Sequence, residues 1–276
     1  MSSLGWKLWH ASPATLVEGM RSRLRKAPQN VEATQWFTIN AGPAAGAAIC
    51  LNTPLGSATE AIVDGTYDGF MYDRLQKRCS IEGAVVWDLG AHMGYHSLCF
   101  AALGARAVLA FEPNPSNSAR LMENLNANPS LARTVNHLPV AVANVDGELS
   151  IVESGELRGE SSCSHLEAGL APLNEAAYAG FARRMVETVR VDTLIEERKQ
   201  PMPDVVKIDV EGAEGMVLRG GARFFAHHAP VLFIEVHHIV LMMEIQKLLG
   251  GWGYSTEVME EARSTPSRCL IVAVRD

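Results

Sequence analysis

Residues 88–97 read DLGAHMGYHS and follow the apolar run 84–87. An apolar run that enters a glycine-containing turn and then opens a helix is typical of the first strand of a parallel α/β sheet. Glycines let a ligand approach the backbone, and the first helical turn presents free N–H groups to it. The spacing of Gly90 and Gly94 is GxxxG rather than GxGxxG, which disfavours an NAD or FAD site. The turn therefore predicts a nucleotide-type ligand at the carboxyl end of this strand.

Apolar strands alternate with helices on the C-terminal side of this turn. The pattern predicts strands at 84–87, 107–111, 135–142, 205–208, 231–234, 254–258 and 269–274. It predicts helices from 95, at 115–127, near 192–198, at 214–226 and at 240–249. Such alternation is typical of a parallel sheet with right-handed crossovers. The fold class is therefore α/β, a Rossmann-like, doubly wound, seven-stranded and mostly parallel sheet with an antiparallel last strand.

The first 80 residues lack this alternation. They predict a helix at 14–27, a β-hairpin from 35–40 and 47–52, and a polar helix near 72–79. We therefore divide the chain into an N-terminal helical and β-hairpin extension, 1–80, and a ligand-binding domain, 81–276.

An insertion follows the third predicted strand of that domain. It is expected to be hairpin-like, with its turn at Asp146-Gly147 and a returning strand at 148–152. The polar segment 155–169 comes next and lies where a substrate loop is expected.

Composition excludes several classes of function. The 276 residues carry 24 Lys and Arg against 31 Asp and Glu, so no overall basic field is available to bind nucleic acid. No window approaches the roughly 20 apolar residues of a membrane span, and the N-terminus does not read as a signal peptide, which predicts a cytoplasmic protein. The five scattered cysteines disfavour a disulfide framework. Apolar residues at 6–9 either cover their own domain or support a homo-oligomer.

Acidic residues and histidines follow three further strands. Glu112 ends the second strand, where a carboxylate accepts ribose hydroxyls. The string KIDVEGAE, 207–214, places Asp209 after the fourth strand, and Glu211 or Glu214 is expected to cap the next helix. The string EVHH, 235–238, follows the fifth strand. Such groups take a proton from a hydroxyl or bind a divalent ion.

Together these motifs resemble the FkbM-type methyltransferases, a branch of the class I enzymes that depend on S-adenosylmethionine (SAM). The string KIDVEGAE is the most specific of them, whereas many class I enzymes share the glycine turn. His92 stands where the family pattern usually has Asn. The matching stretches are 88–97, 111–115, 140–142, 189–194, 207–214 and 233–237.

The resemblance implies that 81–276 is a SAM-binding domain. By position, it puts Glu112 on the ribose hydroxyls, Asn114 near the adenine, and Asp209 beside the methionine end and the transferred methyl. The cofactor-binding residues that it implies are Asp88, Gly90, Ala91, His92, Gly94, Ser97, Glu112, Pro113, Asn114, Ala141, Val142 and Asp209.

The activity that the resemblance implies is O-methyl transfer from SAM to a hydroxyl of a small molecule, a sugar or a natural product, with S-adenosylhomocysteine as the second product. His237 is the first candidate for the base, with Glu235 and Asp209 as orienting groups or alternatives. In a second arrangement Asp209 and Glu235, together with His237 or His238, bind a divalent cation that lowers the acceptor's pKa. Two other functions remain open: a nicotinamide-dependent oxidoreductase, and a non-catalytic SAM-binding scaffold.

Overall fold

The computed structural model describes residues 33–153, 164–169, 182–259 and 269–275. The predicted helix at 14–27, the apolar residues 6–9 and most of the predicted substrate loop lie outside these ranges. In chain order the elements are β1 (Ala33–Thr38), β2 (Ala48–Thr53), α1 (Ser57–Asp64), α2 (Gly69–Arg78), β3 (Val85–Leu89), α3 (Tyr95–Ala102), β4 (Ala107–Phe111), α4 (Pro115–Ala127), α5 (Pro129–Ala132), β5 (Val135–Leu138), β6 (Ala141–Val142), β7 (Gly147–Glu153), β8 (His165–Leu166), β9 (Ala182–Val189), α6 (Val191–Glu196), β10 (Val205–Ile208), α7 (Glu214–Gly220), α8 (Ala222–His227), β11 (Val231–Val236), α9 (Ile239–Gly251), β12 (Ser255–Met259) and β13 (Cys269–Val274).

The main sheet has seven strands in the order β12-β13-β11-β10-β3-β4-β5. Strands β11, β10, β3, β4 and β5 run parallel to one another, and β13 is antiparallel to both β11 and β12. The predicted α/β class, with a seven-stranded and mostly parallel sheet and an antiparallel last strand, is confirmed. The parallel strands bring their carboxyl ends to one edge, where the sequence places its acidic residues and histidines.

Alternate residues of the sheet enter two apolar clusters. Val86 and Phe233 belong to a cluster that includes residues of α2, α3 and α4, whereas Trp87 and Ile234 belong to one that includes residues of α7, α8 and α9. Because successive side chains of a strand point to opposite faces, both faces of the sheet are covered. None of the helices in the described ranges is long and apolar enough to cross a membrane.

The predicted N-terminal hairpin forms from β1 and β2, which are antiparallel. Two amide side chains of the α4 region hold it against the sheet. Asn124 Oδ1 accepts from the Cys50 N–H at 2.8 Å, and Asn128 Oδ1 accepts from the Ala48 N–H at 2.9 Å. The hairpin therefore packs with the same apolar cluster as β3 and β4.

The prediction of a single strand at 135–142 is wrong. It divides into β5, which ends at Leu138, and β6, which begins at Ala141 and belongs to a separate four-stranded sheet of order β6-β9-β7-β8. Pro139 lies at the break, and proline cannot donate a hydrogen bond to a strand ladder.

The predicted hairpin at Asp146-Gly147 is also wrong, because β7 pairs with β9 rather than with the strand before it. Strand β6 pairs with the other edge of β9. The Asp146 carboxylate accepts from the N–H of Arg190 at 2.9 Å and from Thr193 Oγ1 at 2.9 Å, which ties this turn to the start of α6.

The helix predicted at 214–226 is interrupted, giving α7 and α8. A glycine pair occupies the junction. A Cβ on Gly220 would lie 2.0 Å from the Ala143 carbonyl oxygen, and a Cβ on Gly221 would lie 2.8 Å from the Val191 Cβ. Close approach of neighbouring segments therefore requires glycine at both positions, and the helix is broken there.

Candidate active site

A cleft of about 320 Å³ opens at the carboxyl ends of the parallel strands. Its volume lies within the range of small-ligand sites. The predicted residues that line it are Gly90, His92, Glu112, Pro113, Ala141, Val142, Asp209 and Glu235. Of the other predicted residues, Asp88, Ala91, Gly94, Ser97, Asn114, His237 and His238 are outside that lining in the described ranges.

The glycine turn after β3 is pressed against the end of β10. Gly90 has φ +80°, and its N–H and that of Ala91 both donate to the Phe111 carbonyl at 3.0 Å. A Cβ on Gly90 would lie 1.8 Å from the Asp209 carbonyl oxygen. Glycine is therefore required at this position both by the backbone angle and by space.

A buried ion-pair network lies beneath this turn. Lys207 on β10 is the register partner of Asp88 on β3, and its Nζ lies 3.3 Å from Asp88 Oδ1 and 3.3 Å from Asp209 Oδ2. Asp88 Oδ2 accepts a hydrogen bond from Ser97 Oγ at 2.6 Å. Burial disfavours the charged ammonium, but the Asp209 and Asp88 carboxylates outweigh it and hold the pKa of Lys207 above its ordinary value. Lys207 Nζ also lies 3.4 Å from the Gly90 carbonyl oxygen, which connects this network to the turn.

Glu112 is 5% exposed and lines the cleft. Its Oε2 accepts from the His92 N–H at 2.8 Å, and its Oε1 accepts from the Asn114 N–H at 2.9 Å. Burial raises the pKa of Glu112 to about 7, although these two N–H donors lower it. Asn114 itself caps α4, because its Oδ1 accepts from the Ser116 N–H at 2.8 Å.

His92 belongs to the glycine turn, has φ +51° and lines the cleft. Burial lowers the pKa of His92 to about 4; Asp209 opposes this shift, and Lys207 adds to it. The ring is therefore neutral at pH 7. Its Nε2 has no hydrogen-bond partner within the described residues, so this nitrogen is available to a ligand.

Four carboxylates surround His237 at the end of β11. Its Nδ1 lies 2.8 Å from Glu214 Oε1. Its Nε2 lies 3.5 Å from Glu211 Oε2, 3.6 Å from Asp209 Oδ1 and 3.7 Å from Glu235 Oε1. Burial alone would lower the pKa of His237. The Glu214 hydrogen bond and the charges of Glu211 and Asp209 outweigh the effect of burial and raise the pKa to about 10. This environment favours positive charge at the imidazole.

Glu211 and Glu214 do not have the helix-capping role expected from the sequence. The N-cap of α7 is Ala213, and no side chain caps it. Glu214 Oε1 instead accepts from the Gly212 N–H at 3.0 Å and contacts His237. Both carboxylates belong to the site, and the density of acids in KIDVEGAE is the only sequence signal for them.

The structure separates the two histidines that follow β11. His237 joins the carboxylates, whereas His238 is exposed and its Nδ1 accepts from the Val240 N–H at the start of α9. Adjacent residues of an extended segment point in opposite directions, so one of the pair had to leave the site. Donor atoms of Asp209, Glu211 and His237 all lie within 4.8 Å of one another, which is close enough to share one metal ion.

This chain is similar in sequence to known methyltransferases. The family model for the methyltransferase FkbM domain matches residues 88–256. The hexuronic acid methyltransferase AglP of Haloferax volcanii is 30% identical over 177 residues, which cover 64% of this chain and 66% of that protein. The match thus spans just under two thirds of that relative's length.

Two solved structures are similar to parts of this chain. The methyltransferase FkbM from Methylobacillus flagellatus KT has a TM-score of 0.49 and 17% identity, covering 71% of this chain and 44% of that one. A precorrin-6Y C5,15-methyltransferase from Geobacter metallireducens has a TM-score of 0.45 and 16% identity, covering 80% and 93%.

The matched range contains Glu112, Asp209 and His237 and comprises more than half of the 276 residues. On that match, this protein belongs to the FkbM methyltransferase family.

Proposed function

We propose that this protein transfers a methyl group from SAM to a hydroxyl oxygen of a sugar or a related small molecule, leaving S-adenosylhomocysteine. The observation that carries the proposal is the pair of carboxylates, Glu112 and Asp209, in one cleft. They follow β4 and β10, which flank β3 in the sheet. Neighbouring strands are about 4.8 Å apart, so the two ends are about 10 Å apart, a span suited to a nucleoside joined to an amino acid.

The lining of the cleft combines apolar and charged surface in a way that suits such a ligand. Val142, Ile151 and Leu166 offer apolar surface to an adenine. Asp209 offers negative charge. Burial alone would raise the pKa of Asp209, but the charges of Lys207 and His237 outweigh this effect and lower the pKa to about 2. The side chain is therefore a carboxylate at neutral pH.

SAM, when bound, would supply a methyl group on a positively charged sulfur. The task of the chain is then to align the acceptor oxygen with the methyl carbon and to receive the hydroxyl proton. Asp209 and Glu235 line the cleft next to His237, and Glu235 is only 4% exposed. We propose that the acceptor oxygen binds beside Asp209, Glu235 and His237. A sugar acceptor is supported by the relative named as a hexuronic acid methyltransferase.

The cofactor is tested by calorimetric titration of the full chain with SAM, S-adenosylhomocysteine and NAD. Glu112→Gln is expected to weaken SAM binding about tenfold, since a hydrogen bond to a charged group contributes about 1.5–3 kcal/mol. Glu148→Gln, at an exposed position of β7, is the matched control and should bind as the wild type does. Preferential NAD binding would contradict the proposal.

The acceptor is tested by incubation with SAM and a panel of hexuronic acids and other sugars, with product masses read by mass spectrometry. Addition of one methyl group to an acceptor hydroxyl supports the proposal. Cofactor binding without turnover on any acceptor would favour the scaffold function instead.

The affinity for SAM should depend on pH through Glu112. Its pKa of about 7 means that the carboxylate must lose a proton before both oxygens can accept ribose hydroxyls. Affinity is therefore expected to fall as pH is lowered through 7, by about tenfold in total, which matches the loss expected for Glu112→Gln, and to level off above pH 8. Titrations at pH 6, 7 and 8 measure this. The pH dependence of SAM affinity should disappear in Glu112→Gln. A wild-type affinity that does not change with pH would contradict this prediction.

A further inference from the structure

Around His237 the donor atoms are arranged unlike those of an ordinary ion pair. Nδ1 makes a hydrogen bond to Glu214, a residue with no exposed surface. Nε2 faces oxygens of Asp209, Glu211 and Glu235 at 3.5 to 3.7 Å, which is long for a hydrogen bond to any one of them. Three carboxylate oxygens thus surround the Nε2 nitrogen, but none is close enough to make a good hydrogen bond to it.

These separations suit donors that share one ion. Divalent metal ions bind oxygen and nitrogen donors at about 2.0–2.4 Å, so neighbouring donors of one ion lie roughly 3–4 Å apart. The buried Glu214 behind Nδ1 is the usual partner of a metal-binding imidazole, because it fixes the tautomer that turns the Nε2 lone pair toward the metal. In the absence of a metal ion the same oxygens favour a proton on Nε2, and the metal would take the place of that proton.

The charges in this region also favour a cation. Lys207 Nζ lies against Asp88 Oδ1 and Asp209 Oδ2, whereas Asp209 Oδ1 is the oxygen turned toward His237. Glu214 is fully buried, and its Oε2 has no hydrogen-bond partner among the described residues. Carboxylates outnumber the basic groups beside them, and buried charge without a counter-charge is costly.

We propose that Asp209, Glu211 and His237 bind one divalent metal ion at the mouth of the cleft, with Glu214 as the positioning residue of the imidazole. Oxygen and imidazole donors together suit a first-row ion such as Mn²⁺. Asp209, Glu211 and Glu235 line the cleft, so the ion's remaining positions face the ligand.

The role of the ion rests on the proposed methyl transfer. Three protein donors leave positions for two adjacent acceptor oxygens, as in a vicinal diol of a sugar, and the ion would lower the pKa of the hydroxyl it binds. Its binding to the protein, in contrast, needs neither SAM nor an acceptor. The two proposals can therefore be tested separately.

The test is titration of the chelator-treated full chain with Mn²⁺ in the absence of SAM, with free Mn²⁺ followed by electron paramagnetic resonance. We expect saturable binding of one ion per chain. His237→Ala should weaken it by at least about tenfold, and Glu214→Gln by about 10–100-fold. His238→Asn, which changes the neighbouring exposed histidine and keeps a capping side chain, should bind Mn²⁺ as the wild type does.

Absence of saturable binding, or wild-type affinity in His237→Ala, would overturn the metal site. If His237→Ala does not fold, Glu211→Gln provides the same comparison, since its side chain is 35% exposed. SAM binding by the metal-free chain is measured in parallel, and its loss would count against the proposed function alone. Turnover that is lost with the chelator and restored by Mn²⁺ supports the role of the ion, whereas turnover unaffected by the chelator would overturn that role.

Discussion

Replacement of Lys207 by Met is expected to lower the free energy of unfolding by about 3–5 kcal/mol, because it leaves a buried carboxylate without its counter-charge. Asp88 has no exposed surface, and the Lys207 ammonium is 3.3 Å from its Oδ1. Methionine retains most of the aliphatic volume of lysine, so the loss reports the charge rather than a cavity. Urea unfolding of both proteins measures the difference.

Two further variants make this expectation specific. Lys77→Met, at an exposed position of α2, should change stability by no more than about 0.5 kcal/mol. Adding Asp88→Asn to Lys207→Met should restore much of the loss, since the fully buried charge is then gone, Ser97 keeps an acceptor, and the partly exposed Asp209 still has His237 beside it. A loss below about 1 kcal/mol in the single variant would mean that Asp88 does not depend on Lys207.

Replacement of Gly90 by Ala should be the most damaging single-methyl addition in the glycine turn. The new Cβ would lie 1.8 Å from the Asp209 carbonyl oxygen, and neither a backbone oxygen nor a Cβ can rotate away. Left-handed backbone costs a non-glycine residue about 1–2 kcal/mol, and overpacking adds about 1–3 kcal/mol. The turn must move, so we expect loss of both stability and SAM binding.

Gly83→Ala is the matched control for this prediction. Gly83 has φ +77°, close to the +80° of Gly90, but a Cβ there would meet nothing within 4 Å. The free energy of unfolding of Gly83→Ala should fall only by the backbone contribution of about 1–2 kcal/mol, and this variant should retain SAM binding. Equal losses in the two variants, measured by urea unfolding, would show that the contact with Asp209 does not matter.

Much of the fold can be read from local patterns in the chain. The strand predicted at 107–111 and the helix predicted at 115–127 have the observed bounds, because short apolar runs and an Asn-Pro helix start mark them. Helix α1 was not predicted. The four-stranded sheet could not be predicted either, because it joins residues as distant as Gly147 and Thr188 and no local periodicity encodes such a pairing.

The candidate site, like the fold, was predictable from the sequence only in part. Its position was predictable, because parallel strands bring the residues at their carboxyl ends, here Glu112, Asp209 and Glu235, to one edge of the sheet. Their individual roles were not. Local sequence suggested that Glu214 caps a helix, but the fold places it against His237, a residue 23 positions away.

The amino-acid sequence alone therefore determines the class of sheet and the edge at which its chemistry lies, since both depend on the order of the apolar runs and on the polar residues at the end of each run. Only the tertiary structure selects His237 over His238 and gathers four carboxylates around it. That selection depends on which way each side chain leaves its strand and on which oxygens the neighbouring strands bring within a few ångströms, and both are properties of packing between distant segments.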